Sequence, residues 1–182
     1  MERFLALIIL LLSSPLLLII CVLIKINSKG PILYWSKRFG KNNILFSMPK
    51  FRTMIIETPQ VATHLLEQPE QYTTKVGRFL RQSSLDELPQ LLNIIEGKMS
   101  FVGPRPALFN QNDLIDMRTK NNIHMLLPGV TGWAQINGRD ELSLEEKVSF
   151  EIEYKKRKSL NFDCFIIWLT FIKLFRRDGI SH

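Results

Sequence analysis

Two adjacent carboxylates, Asp86 and Glu87, stand where a helix is predicted to begin, just after Ser83-Ser84-Leu85. The positive end of a helix dipole favours ionised carboxylates, and helical neighbours point about 100° apart. Two such groups can therefore approach one site in different roles, one attacking phosphorus or binding a divalent cation while the other orients it. The same pair can also do no more than cap a helix. Arg105 is held between Pro104 and Pro106, whose fixed backbones display the guanidinium rigidly, as suits a phosphate clamp. Lys50 and Arg52 put two cations on one face of an extended segment with Phe51 opposite. The stretch from Pro128 to Arg139 is rich in turn formers yet carries Trp133, Gln135 and Arg139. That mix can shape a pocket for a base, a sugar or a phosphate.

Other chemistries lack their signatures. The sequence has no G-x-S-x-G, no Walker A loop and no G-x-G-x-x-G. His64, His124 and His182 are far apart and without neighbouring cysteine, which argues against a zinc site. Cys21 and Cys164 are too few for a disulfide framework and point to a reducing, cytoplasm-facing body.

These residues need elements to position them. Ile32–Trp35, a Gly40–Asn43 turn and Ile44 onward read as a β-hairpin within residues 31–54. Residues 55–75 read as irregular with one short helix. Ser84 and Glu87 have capping-box spacing for a helix that turns Leu88, Leu91, Leu92 and Ile95 inward and stops at Gly97, although Pro89 would bend or delay it. A charged helix is predicted from Ser143 to about Lys158, with Leu144, Val148 and Ile152 inward and Glu151–Lys155 and Glu153–Arg157 as i,i+4 pairs. A last helix, about Asn161 to Arg177, is apolar around most of its circumference and ends in Lys173, Arg176 and Arg177. It reads equally as a buried helix or as one lying in a membrane interface.

Phe4 to Ile24 carries no charge, and as a helix it would cover about 30 Å, a bilayer core. No small-residue cleavage site comes after it. Ser13-Ser14-Pro15 interrupts it midway. Pro15 has no N–H for the Leu11 carbonyl, so the segment could kink and return to the side it entered. The residues alone favour a spanning helix, and the cations Lys25, Lys29, Lys37 and Arg38 place the body in the cytoplasm under either geometry.

At 182 residues with 46% hydrophobic content, the chain suits one domain and is too short for a two-domain dinucleotide enzyme or an eightfold barrel. The net charge of +7 is unevenly spread: residues 25–81 carry +7, 82–154 carry −5 and 155–182 carry +5. Basic flanks around an acidic middle suit nucleic acid, anionic lipid or a phosphorylated substrate, or simply a solvated surface.

Four blocks occur in order along the chain: Lys50-Phe-Arg-Thr-Met54, Ser84-Leu-Asp-Glu-Leu-Pro-Gln90, Met99-Ser-Phe-Val-Gly-Pro-Arg-Pro106 and Pro128-Gly-Val-Thr-Gly-Trp-Ala-Gln-Ile-Asn-Gly-Arg139. Together they resemble the signature blocks of bacterial sugar transferases, specifically the small monotopic polyprenol-phosphate phosphoglycosyl transferases. Two departures stand out. Ile55 and Ile56 follow the first block where acidic residues are common, and the chain is expected to be a minimal catalytic form without the several membrane helices of the long members.

The resemblance implies an α+β fold, mainly helical with a short β-hairpin and amphipathic interfacial helices. Residues 1–27 would form a re-entrant membrane helix broken at Ser14 and Pro15, and residues 28–182 a catalytic domain on the cytoplasmic face of the bacterial inner membrane. It implies transfer of a phosphosugar from a UDP-sugar to undecaprenyl phosphate, releasing UMP, at the start of glycoconjugate assembly. The sugar expected is an N-acetylated 6-deoxy amino sugar. Asp86 would be the nucleophile of a ping-pong cycle and a ligand of Mg2+, with Glu87 assisting. Arg81, Arg105, Lys50, Arg52, Gln135 and Arg139 would bind substrate. Inner-membrane lipids are expected partners and nucleic acid is not. The alternative is a membrane-tethered basic protein that binds anionic lipid or nucleic acid without turnover.

Overall fold

In a computed structural model the chain is described over residues 1–58, 69–138 and 141–176. Its elements are α1 (Glu2–Asn27), β1 (Leu33–Phe39), β2 (Leu45–Phe51), α2 (Pro69–Tyr72), α3 (Lys75–Gln82), a 3-10 turn (Leu85–Gln90) and α4 (Leu91–Glu96). After α4 come β3 (Ser100–Val102), β4 (Ala107–Leu108), α5 (Asn112–Lys120), β5 (Gly129–Thr131), α6 (Trp133–Ile136), α7 (Leu144–Arg157) and α8 (Leu160–Arg176).

The helix α1 is unbroken at Pro15, contrary to the expected break. The carbonyl that Pro15 orphans, that of Leu11, accepts a hydrogen bond from Ser14 Oγ at 2.7 Å, and Ser13 Oγ donates to the Leu10 carbonyl at 3.2 Å. The Ser14 hydroxyl supplies locally what the proline removes. Both ends of α1 rest on the same body. Near its start, Ala6 is buried with Phe46, Met48, Leu91, Ile94 and Met99, and Glu2 Oε1 accepts from Ser100 Oγ at 3.0 Å. Near its end, Ile20 and Ile24 pack on Phe51 and Leu80. Between those anchors Leu11, Leu12, Leu18 and Ile19 are exposed.

The hairpin forms as its sequence predicts. β1 and β2 pair antiparallel from Leu33↔Phe51 to Phe39↔Leu45, joined through Lys41–Asn43. β4 adds to the other edge of β1, and β3 pairs in parallel with β5.

The capping box expected at Ser84–Glu87 does not form. Ser84 is left-handed at φ 54°, its side chain caps nothing, and residues 85–90 wind as a 3-10 turn. Pro89 cannot donate the i→i−4 bond that an α-helix needs there. Three residues per turn shifts the phase of α4, so Leu91 and Ile94 are buried while Leu92 faces outward. Gly97 ends α4 at φ 79°, as expected. A capping box is present at Ser143–Glu146, opening α7.

Leu144, Val148 and Ile152 of α7 pack on Leu114 and Ile123. Arg157 pairs with Glu153 at 2.5 Å, but Glu151 does not pair with Lys155: it is buried against Arg118 of α5, and Lys155 donates instead to the Asn121 carbonyl. In α8, Phe162 and Ile166 face inward while Phe165, Trp168 and Phe171 are exposed. The described fold is thus mainly helical with two small sheets.

Candidate active site

The 3-10 turn lies against β2, which brings the carboxylate pair to the hairpin. In a turn of three residues per revolution neighbours point about 120° apart, and the two acids meet different partners. Glu87 faces Lys50 of β2 and Arg105. Lys50 Nζ donates to Glu87 Oε1 at 2.7 Å and Arg105 Nη2 to the same oxygen at 2.8 Å. Burial alone would raise the Glu87 pKa, but the charges and hydrogen bonds of Arg105 and Lys50 outweigh it and hold the carboxyl well below the ordinary glutamate range.

Asp86 is 8% exposed. Burial raises its pKa, and adjacent Glu87 pushes the same way, while Lys50, Arg81 and Arg105 pull against them. Among the described residues no hydrogen bond reaches its carboxylate, so it is surrounded by positive charge yet uncommitted. Arg81, on the last turn of α3, donates from Nε to Thr53 Oγ1 at 2.8 Å. Its own pKa is lowered by burial and supported by Asp86. Lys50 is likewise lowered by burial, against the pull of Glu87.

The Pro104-Arg105-Pro106 loop is held by backbone. Gly129 N donates to the Pro104 carbonyl at 3.0 Å, and Arg38 Nη1 to that of Pro106 at 3.1 Å. A Cβ on Gly129 would lie 2.1 Å from Gly103 N, so only glycine lets β5 approach so closely. The Pro128–Gly132 stretch therefore packs against Gly103 and Pro104, the residues that lead into Arg105.

The other sequence candidates are dispersed. Arg52 is buried away from the acids: its Nη2 donates to the carbonyl and hydroxyl of Ser28, just past the end of α1, at 2.9 and 2.8 Å. Lys50 and Arg52 thus do not converge on one site. Gln135 Nε2 donates to the Val130 carbonyl at 2.9 Å, and Gln135 Oε1 is buried without a partner among the described residues. Arg139 lies outside the described residues. Arg38, which sequence reasoning missed, joins the cluster from β1. The hairpin register was the usable signal: Tyr34 faces Lys50 across it, and alternation puts Ser36 and Arg38 on that same side.

Among the described residues no three His, Cys, Asp or Glu side chains gather as a metal site. Asp86 offers one free carboxylate, while Glu87 Oε1 already serves two cations. That donor set fits a divalent ion only when phosphate oxygens and water complete its shell, which is how Mg2+ commonly binds.

Comparison with known proteins places the chain in a family. The family described as bacterial sugar transferase matches residues 1–177. The chain belongs to that family. Among similar bacterial sugar transferases is the UDP-glucose:undecaprenyl-phosphate glucose-1-phosphate transferase of Escherichia coli K12, 41% identical over 94% of this chain and 38% of that protein. The UDP-N-acetylgalactosamine-undecaprenyl-phosphate N-acetylgalactosaminephosphotransferase of Aeromonas hydrophila is 35% identical over 87% of this chain and 39% of its own length. The uncharacterized sugar transferase EpsL of Bacillus subtilis 168 is 36% identical over 93% of this chain and 83% of that protein. The chain thus spans about two-fifths of the first two relatives and most of the third.

Proposed function

We propose that the protein transfers a sugar 1-phosphate from a UDP-sugar to undecaprenyl phosphate, releasing UMP, in two steps through Asp86. The observation that carries this reading is the uncommitted Asp86 carboxylate among Lys50, Arg81 and Arg105, in a chain whose relatives are named for that transfer.

In the first step an Asp86 oxygen attacks the β-phosphorus. The new bond is Asp86 O–P, and the bond that breaks joins the β-phosphorus to the bridging oxygen, which leaves with UMP. In the second step a phosphate oxygen of undecaprenyl phosphate attacks the same phosphorus, Asp86 leaves as carboxylate, and the product is the lipid-linked diphosphosugar. Splitting the transfer means that the soluble and lipid substrates need not be bound together.

Arg105, Lys50 and Arg81 neutralise charge on the phosphates in a partly desolvated site, where such contacts are strongest. Glu87, kept ionised, holds Lys50 and Arg105 in place instead of moving a proton. Mg2+ held by Asp86 and diphosphate oxygens would supply further neutralisation.

The protein is read as lying in the inner membrane on its cytoplasmic face. Apolar α1 is one continuous helix with both ends on one body and an exposed apolar middle, which suits a helix embedded from one face of the membrane rather than one that crosses it.

The test is UMP release with undecaprenyl phosphate across a panel of UDP-glucose, UDP-N-acetylgalactosamine and UDP-linked N-acetylated 6-deoxy amino sugars. One donor is expected to give turnover that D86N lowers by at least about a thousandfold. Salt-sensitive binding of lipid or nucleic acid with no UMP from any donor would instead support a binding protein.

A further inference from the structure

The two-step transfer uses three of the four cations gathered here among the described residues. The fourth, Arg38, projects from β1 on the face that carries Ser36 and, across the hairpin, Lys50. Its Nε donates to Ser36 Oγ at 2.9 Å and its Nη1 to the Pro106 carbonyl at 3.1 Å. Those bonds fix the plane of the guanidinium and leave Nη2 without a hydrogen bond among the described residues.

The surroundings do not balance its charge. Burial, and then the neighbouring Arg105, lower the Arg38 pKa to about 10, against support from Glu87 and Tyr34. Yet Glu87 Oε1 is already shared by Lys50 and Arg105, and among the described residues no carboxylate forms an ion pair with Arg38. Its positive charge is therefore left over in the cluster. Holding like charges together in a partly desolvated pocket is unfavourable until an anion enters. A nucleoside-diphosphate sugar brings two negative charges on adjacent phosphates, and a fixed guanidinium edge suits a phosphate oxygen.

We propose that Arg38 is a further phosphate-binding residue of the donor site: Nη2 takes an oxygen of the diphosphate while Nη1 holds Pro106, and with it the loop that carries Arg105. This rests on the sugar 1-phosphate transfer reading. It assigns Arg38 two tasks, and the ligand contact separates it from a loop brace.

The experiment compares wild type, R38K and R38M by UMP-release kinetics with the donor found in the panel and by the thermal shift that UDP produces. Loss of a charge-assisted contact is expected to raise the donor KM of R38M about tenfold or more. Its UDP-induced shift should fall toward zero, while its unliganded melting temperature stays near wild type because the repulsion from Arg105 goes as well. Lysine keeps the charge but cannot reach Pro106 and a phosphate together, so R38K should show a KM raised about threefold or more. A lowered melting temperature and kcat with unchanged KM and UDP shift would leave only a brace and overturn the proposal. If R38M does not fold, R38K decides: a wild-type KM there overturns it. Wild type that neither turns over nor responds to UDP would sink the transferase reading itself, whereas active wild type with indistinguishable variants sinks only the role of Arg38.

Discussion

Burial raises the cost of ionising both Asp86 and Glu87, but among the described residues only Glu87 receives direct hydrogen bonds from cations. Neighbours in sequence therefore depart from ordinary carboxylate values in opposite directions, and stability should follow. Asp86, raised, costs the folded state at neutral pH, so D86N should abolish transfer and raise the melting temperature. That gain should shrink as pH falls through the carboxylate range, where wild-type Asp86 is protonated whether folded or not. Glu87, lowered, contributes stability above the unfolded glutamate value and loses it as pH falls through its folded pKa. E87Q should lower the melting temperature at pH 7.5 by the equivalent of about 3 kcal/mol, since Lys50 and Arg105 both lose the carboxylate they share. Thermal melts of both variants from pH 7.5 to pH 4 check the pair, and equal shifts of one sign would contradict it. The residue types and block spacing singled out Asp86, Glu87, Lys50 and Arg105 in advance, and the family resemblance added Arg81. They could not show that Arg52 turns to Ser28 or that Arg38 faces the cluster, because a strand side chain's destination depends on register and on what packs above it.

At the scale of elements, the site depends on how closely α3 approaches the segment that leads out of β2. A Cβ on Gly77 would lie 2.0 Å from the Thr53 carbonyl oxygen, so Gly77 lets α3 seat and lets Arg81 reach Thr53 Oγ1. G77A should displace α3, cost about 2 kcal/mol or more in urea unfolding, and cut UMP release although Gly77 touches no substrate. Wild-type kinetics in G77A would show that Arg81 does not depend on this contact. The hairpin, α7 and α8 were readable because their periodicities and boundary residues agree with their burial. The turn carrying Asp86 was misread because Pro89 and left-handed Ser84 override capping-box spacing. The residues of α1 alone favour a continuous helix over the break that the family resemblance implies, and the Ser14 hydroxyl shows why, since it restores what Pro15 takes away.

The whole molecule joins a polar, charged site to a long apolar helix whose two ends are docked on the same body. A bilayer-spanning α1 would have to release Ala6 and Glu2 from their contacts near α4 and β3, giving up buried apolar area. A reporter at Met1 and one on the catalytic body should therefore be labelled from the same side of intact inverted vesicles, and washing at high salt should not strip the protein. Labelling of Met1 from the opposite side alone would contradict that topology. A lipid phosphate could then meet a nucleophile held beside the headgroups while its tail stays in the bilayer.

The two-step transfer is tested most directly by intact-protein and peptide mass spectrometry after brief exposure to the productive UDP-sugar without undecaprenyl phosphate. The expected result is a sugar-phosphate adduct on the peptide containing Asp86, with about one UMP released per adduct. The adduct should be absent from D86N and discharged when undecaprenyl phosphate is added. UMP formed only when both substrates are present, with no adduct at any time, would contradict it.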